Sequence, residues 1–366
     1  MTDDLSKYRL PGGQAIQPLP KIGLHEHLDG GVRPQTIIEL AGGIGLELPA
    51  ATPDALARWF VDQCTGGDLV EYLKTFDITI ACMQTADGLE RIAREYVEDL
   101  ATDGVVYAEI RWAPEQHLTR GLSPDEAVEA VQRGIDAGIE RAAEGGHTIR
   151  IGQIIDALRQ FDNATEAAEI ALRWRERGVV GFDIAGPEAG YPVASHQEAF
   201  DLLADSFLPV TVHAGEADGI ESIRGALIDG RALRLGHGVR IVEDILLEED
   251  GPNSYATLGP VAQWVKDREI ALEIAPTSNL QTGAHGRSIE DHPFDLLYQL
   301  GFRVTVNPDN RLMSGTSITR ELAILAEAFG YDLDDLAVFQ LNAAASAFLP
   351  VEDRDALSNL IAEAYA

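Results

Sequence analysis

The 366-residue sequence predicts an α/β fold, a (β/α)8 TIM barrel with a helical insertion after its first strand. Three observations predict it. Eight short, β-branched, nearly continuous apolar runs occur along the chain; helical patterns with readable caps lie between them; and histidine or aspartate stands at the end of several of the runs. Unbroken apolar character, in place of strict alternation, is what a parallel strand covered on both faces requires. Strands alternating with helices indicate a parallel barrel or a doubly wound sheet. No Gly-x-Gly-x-x-Gly follows the first run, so the dinucleotide-binding version of the second lacks its best support.

The first strand is the short lead-in Lys21–Leu24, ending at His25. Gly104–Arg111, Thr148–Ile155, Gly178–Ile184, Leu208–Val212, Ala232–Leu235, Ile270–Ile274 and Phe302–Val306 supply the other seven. Thr52-Pro53-Asp54 opens a helix, and Ser123-Pro124-Asp125-Glu126 opens another, with serine at the N-cap and proline at the first helical position. Ser195 with Glu198 matches a capping box. Strands one and two are separated by about 75 residues, far more than an ordinary βα link. That stretch is helical in pattern over Ala55–Gln63, Asp68–Met83 and Leu89–Ala101, and is expected to form a lid over the barrel mouth. With no internal repeat or linker, residues 1–366 are expected to form a single domain.

Hydrophobic residues make up 45% of the chain, ample for a large core. No apolar run reaches the roughly 18–20 residues that span a bilayer, and Met1 to Gln14 lacks the features of a secretory signal, so the expected compartment is the cytoplasm. The formal net charge of −32 argues against nucleic-acid and anionic-membrane partners, since phosphates would be repelled; the oligomeric state stays open. Cys64 and Cys82 are too few for a disulfide framework or a cysteine-rich zinc site.

His25 and His27 follow strand one, His213 ends strand five, His237 ends strand six, and Asp309 follows strand eight. In a parallel barrel these positions share the C-terminal mouth, where active sites form. A lone His-x-His or a lone strand-end aspartate carries little weight; five such residues on one face are hard to dismiss. Residues i and i+2 of an extended segment point the same way, so His25 and His27 can both face inward. With His213 and Asp309 they make a nitrogen and oxygen set suited to one zinc ion with a position left for water. Glu216, three residues after His213, can act as a general acid, and His237 can orient the attacking water. Of the remaining histidines, His285 and His117 are the best placed to approach the mouth. The only lysines are Lys7, Lys21, Lys74 and Lys266, none on strands two to five, which favours one metal over a lysine-bridged pair.

These residues closely resemble the adenosine deaminase family of the metal-dependent amidohydrolase superfamily. The resemblance runs from about residue 20 to 347 through Leu24-His25-Glu26-His27-Leu28-Asp29-Gly30, Phe182-Asp183-Ile184-Ala185-Gly186, Thr211-Val212-His213-Ala214-Gly215-Glu216, Leu235-Gly236-His237-Gly238, Ala275-Pro276-Thr277-Ser278-Asn279 and Val306-Asn307-Pro308-Asp309-Asn310. It implies zinc-dependent deamination of adenosine and 2′-deoxyadenosine in purine salvage, with a purine nucleoside as the small-molecule partner. It further implies that His25, His27, His213 and Asp309 hold the zinc and that Glu216 protonates the ring nitrogen beside the attacked carbon. The Gly186 N–H would bond another ring nitrogen, Asp29 would receive a ribose hydroxyl, and His27 would also contact substrate. Tyr72, Leu73 and Phe76 look similar to the family's apolar lid, although a plain helix-packing stripe reads the same way. Asn310 stands where the family often has a second aspartate, and Pro308 where it has threonine; the amide of Asn310 can donate to ring nitrogen seven. Glu109-Ile110-Arg111-Trp112-Ala113-Pro114 looks more like nucleoside-using members. The alternatives are a deaminase of adenine or of a modified adenosine and, in a different class, a barrel that binds nucleoside without turnover, for which Glu216 and His237 would be superfluous.

Overall fold

The computed structural model describes residues 4–250 and 253–366. Its elements run β1 (Lys21–His27), α1 (Pro34–Ile44), α2 (Pro53–Cys64), α3 (Leu69–Leu73), α4 (Phe76–Cys82), α5 (Ala86–Thr102), β2 (Val105–Trp112), α6 (Pro124–Glu144), β3 (Arg150–Leu158), α7 (Ala164–Trp174), β4 (Val179–Ala185), α8 (Gln197–Asp205), β5 (Thr211–Ala214), α9 (Ile220–Ile228), β6 (Arg234–His237), β7 (Ile245–Asp250), β8 (Asn253–Leu258), α10 (Pro260–Asp267), β9 (Ala271–Ile274), α11 (Pro276–Gln281), α12 (Phe294–Gln299), β10 (Val304–Val306), α13 (Ile318–Phe329), α14 (Leu333–Ser346) and α15 (Val351–Ala364).

Parallel strands pair in the orders β1-β2-β3-β4 and β10-β9-β6-β5. Two parallel bridges, Phe182 with Val210 and Glu26 with Asp309, join the two sheets and close the barrel. All eight strands expected from the apolar runs are present. The hairpin β7–β8 is an addition between β6 and α10 that the apolar pattern does not announce. Among the described residues, no helix is long and apolar enough to cross a membrane.

The caps follow local chemistry. Ser123 forms the full capping box with Glu126 at the start of α6, and the Thr52 side chain accepts from Ala55 N at α2. The expected box at Ser195 and Glu198 does not form: residues 193–196 make a 3-10 turn, so α8 starts at Gln197 with His196 at its cap position and no side-chain cap. The insertion between β1 and β2 is helical as expected, with α1 as an additional element. Its middle segment is two short helices instead of one. The Thr75 hydroxyl donates to Tyr72 O at 2.7 Å, a local side-chain bond of the kind that competes with helix continuation.

Candidate active site

β1 places His25 and His27 on the inner face, both buried. The strand pairs irregularly with β2 between Gly23 and Glu26. Glu26 points away from the two histidines, into a bidentate pair with Arg311 at 2.8 Å and 2.8 Å and a bond from Tyr96 Oη at 2.5 Å. That pair ties β1 to the segment carrying Asp309. His27 Nε2 lies 3.3 Å from His25 Nε2 and 3.2 Å from His213 Nε2. Asp309 Oδ1 lies 3.4 Å from His25 Nε2 and 3.3 Å from His27 Nε2. Ligands held about 2.0–2.1 Å from a tetrahedral ion lie about 3.3 Å from one another. His27 Nε2 thus stands at that spacing from each of the other three groups, and His25 at that spacing from Asp309, with converging lone pairs that a cation would satisfy. Burial opposes ionisation of Asp309, but the facing His25 and His27 outweigh it and hold the carboxyl far below the usual range. Asp309 and His237 both take left-handed backbone conformations, at φ 60° and φ 65°. Such strain in non-glycine residues costs about 1–3 kcal/mol each and collects at functional sites.

Behind the cluster stand orienting carboxylates that the sequence reading did not single out. His25 Nδ1 is 3.0 Å from Glu273 Oε2, and His213 Nδ1 is 2.8 Å from Asp183 Oδ2. Arg111, fully buried, donates to both carboxylates, at 2.6 Å to Asp183 and 2.7 Å to Glu273. Ser278 Oγ donates to Asp309 Oδ2 at 2.6 Å. Carboxylate partners of this kind fix the tautomer and direction of ligating histidines. The available signal was a charged residue inside an apolar parallel strand: Glu273 in IALEI and Asp183 in GVVGFDI.

Glu216 and His237 meet beside the cluster, His237 Nε2 standing 3.6 Å from Glu216 Oε2. Burial, reinforced by the charges of Asp309 and Glu188, raises the Glu216 carboxyl well above its ordinary range and so favours its protonated form. Burial and the neighbouring His25 push His237 well down, leaving it neutral. The Asn279 amide lies 3.0 Å from His237 Nδ1, and His292 Nε2 lies 3.4 Å from Asn279 Oδ1. With Asn279 Nδ2 donating, the imidazole proton is assigned to Nε2, facing Glu216. His292 thus backs His237 through Asn279, while none of His117, His285 and His292 lines the cavity itself. His117 is buried against Trp112 instead, with 5.5 Å between ring centroids.

A cavity of about 230 Å³ opens over these groups. Tyr72, Leu73 and Phe76 line it from α3 and α4, as do Asp29, Gly186 and Asn310 from the barrel. The lid helices therefore present these side chains to the cavity. Burial pushes the Asp29 carboxyl up to about 7, and its Oδ1 has no partner; neither has Asn310 Oδ1. Glycine is required at two points: a Cβ on Gly30 would lie 1.9 Å from Asn310 Oδ1, and one on Gly186 (φ +93°) would lie 2.5 Å from Gln160 Oε1. Asp156 and Gln160 also line the cavity and escaped the sequence reading.

A closed parallel barrel with a His/Asp cluster at its C-terminal mouth, and a buried carboxyl beside the cluster, defines the class of barrel hydrolases that assemble a metal centre at strand ends. The family model for adenosine deaminase matches residues 20–364. Adenosine deaminase 1 of Streptomyces coelicolor is 51% identical over 96% of this chain and 88% of its own length. The adenosine deaminase of Mycobacterium avium is 50% identical, covering 94% of each. Among solved structures, the N6-methyl-AMP deaminase of Arabidopsis thaliana matches with a TM-score of 0.78 at 27% identity, over 95% of this chain and 97% of that one. The chain belongs to the adenosine deaminase family.

Proposed function

We propose that this protein hydrolyses adenosine and 2′-deoxyadenosine to inosine and deoxyinosine, releasing ammonia, with one zinc ion per chain held by His25, His27, His213 and Asp309. The observation that carries the reading is Glu216, a buried carboxyl 3.6 Å from His237 beside the ligand cluster, raised by its burial well above its ordinary range. A binding module has no use for such a group. Carbon 6 of adenine resists attack because its ring is aromatic, and protonation of the adjacent nitrogen makes it electrophilic. Glu216 delivers that proton. The zinc supplies Lewis acidity that brings the pKa of water towards about 7. His237, neutral with its Nε2 facing Glu216, orients the attacking water. The Gly186 N–H and the Asn310 amide read ring nitrogens, Asp29 and His27 take the sugar, and Tyr72, Leu73 and Phe76 exclude solvent above it.

The domain spans 1–366 in this reading, supported by one large hydrophobic core with a small separate cluster of Ala113, Leu158 and Ala185. The compartment is the cytoplasm, in keeping with two free buried thiols, Cys64 and Cys82. An ultraviolet assay of the purified protein with adenosine, 2′-deoxyadenosine, adenine and S-adenosylhomocysteine, paired with elemental analysis, tests the proposal. Adenosine and 2′-deoxyadenosine should be turned over fastest. Faster turnover of adenine would reassign the substrate, and binding without turnover would make the protein a receptor.

A further inference from the structure

Two of the three clustered histidines have a carboxylate against their outward nitrogen: His25 with Glu273 at 3.0 Å and His213 with Asp183 at 2.8 Å. His27 differs. Its Nδ1 faces Asp156 Oδ2 across 3.9 Å, too far for a hydrogen bond. Asp156 sits near the C-terminal end of β3, is 2% exposed, and leaves Oδ1 without a partner. Both residues line the cavity. A buried polar atom without a partner calls for a ligand group, because leaving it unmade forfeits the bonds that water supplied. His27 Nε2 faces the other ligands, so Nδ1 carries the proton and needs an acceptor. The Asp156 carboxyl, pushed well up by burial and the charge of Asp183, also needs a partner. A hydroxyl both donates and accepts, so it can pair with either form of that carboxyl, and an oxygen about 2.8 Å from each group spans a gap of this width.

We propose that Asp156 is a specificity-determining residue that brackets one sugar hydroxyl together with His27: the hydroxyl accepts from His27 Nδ1–H and hydrogen-bonds the Asp156 carboxyl. The proposal rests on the reading of the substrate as an adenine nucleoside. It assigns Asp156 a hydroxyl separate from the one received by Asp29.

The test compares adenosine with its 2′-deoxy, 3′-deoxy and 5′-deoxy forms in the wild type, Asp156→Ala and Asp156→Asn, by kcat/KM and by calorimetric binding, with metal content measured for each protein. The 3′-deoxy or the 5′-deoxy form should be about 10- to 100-fold worse than adenosine in the wild type, the scale for a polar group left unpaired, with the 2′-deoxy form little changed. Asp156→Ala should lose the same factor on adenosine and almost nothing on that deoxy form, while Asp156→Asn, which keeps an acceptor, recovers part of the loss. Equal losses on all four nucleosides with reduced metal content would make Asp156 an orienting partner of His27 and overturn the proposal. So would an Asp156→Ala protein that discriminates as the wild type does. Binding that depends on the hydroxyl without any turnover would retain the bracket and overturn deamination; turnover without that dependence would do the reverse. Absence of both binding and turnover overturns both.

Discussion

Glu188 holds Glu216 by its backbone: Glu216 N donates to Glu188 Oε2 at 3.0 Å. The same carboxylate accepts from Gly215 N at 2.6 Å, Ala217 N at 2.6 Å and Asp218 N at 2.9 Å, and from Ser222 Oγ at 2.5 Å. The loop after β5 is thereby fixed around a buried anion, and that anion also disfavours ionisation of Glu216. Glu188→Gln keeps the shape but offers a single acceptor oxygen and no charge. It should destabilise the protein by about 2 kcal/mol, the scale for hydrogen bonds to a charged group, read as a lower Tm. It should also move the alkaline limb of kcat/KM to lower pH. The active form of Glu216 is protonated, and removing the neighbouring charge makes that proton easier to lose. An unmoved limb would leave Glu188 purely structural.

Glu216 itself is expected to transfer a proton without binding metal. Glu216→Gln should retain its metal and still bind nucleoside, while kcat falls at least about 10²-fold, the usual scale for general acid–base catalysis. Because burial raises the Glu216 carboxyl, wild-type activity should persist through pH values where an ordinary glutamate has ionised, and decline only as pH rises through the raised pKa. Metal loss in parallel with activity would assign Glu216 a ligand or structural role.

The ligand set can be tested at His213. Elemental analysis of the wild type should give about one zinc per chain, as a single site requires, and His213→Ala should lose most of it. Asp183→Asn acts one step out, since Asp183 orients His213 and accepts from Arg111. It should weaken metal affinity about 10- to 100-fold, measured by competition with a chelator. Full occupancy in His213→Ala would discard the assignment.

The strand-end histidines were legible in the sequence because a parallel barrel gathers strand ends by construction, whatever their separation along the chain. Their supporting carboxylates were not. Glu273 meets His25 across 248 residues, and nothing local to IALEI names that partner. Asp156 reads as a strand residue until β3 is set beside β4 and opposite His27. Glu188 reads as a loop glutamate until the turn after β5 folds its N–H groups onto it. Local signals failed where tertiary structure intervened. Ser195 had the right spacing to Glu198, but the 3-10 turn over 193–196 placed His196 at the cap.

Asn310 follows Asp309 at the barrel mouth, and its amide is expected to donate to ring nitrogen seven. It is buried at the cavity wall beside Asp309, against Gly30, where no side chain larger than hydrogen would fit. Its Oδ1 has no partner, which leaves the amide's orientation for a ligand to set. An unprotonated ring nitrogen requires a donor; an amide is one at every pH, whereas a carboxyl donates only when protonated. The informative pair is adenosine and 7-deazaadenosine, which carries carbon at that position and accepts no hydrogen bond. Wild type should clearly prefer adenosine. Asn310→Ala should lose most of the preference, a change of about 1–3 kcal/mol, typical of a buried polar group left unpaired. Asn310→Asp should keep full metal occupancy and recover discrimination only on the acidic side. Its carboxyl must hold a proton to donate, so activity rises as pH falls through its pKa. If Asn310→Ala still separates the two nucleosides as strongly as the wild type does, Asn310 is a strand-end turn residue, and ring nitrogen seven is read by another group.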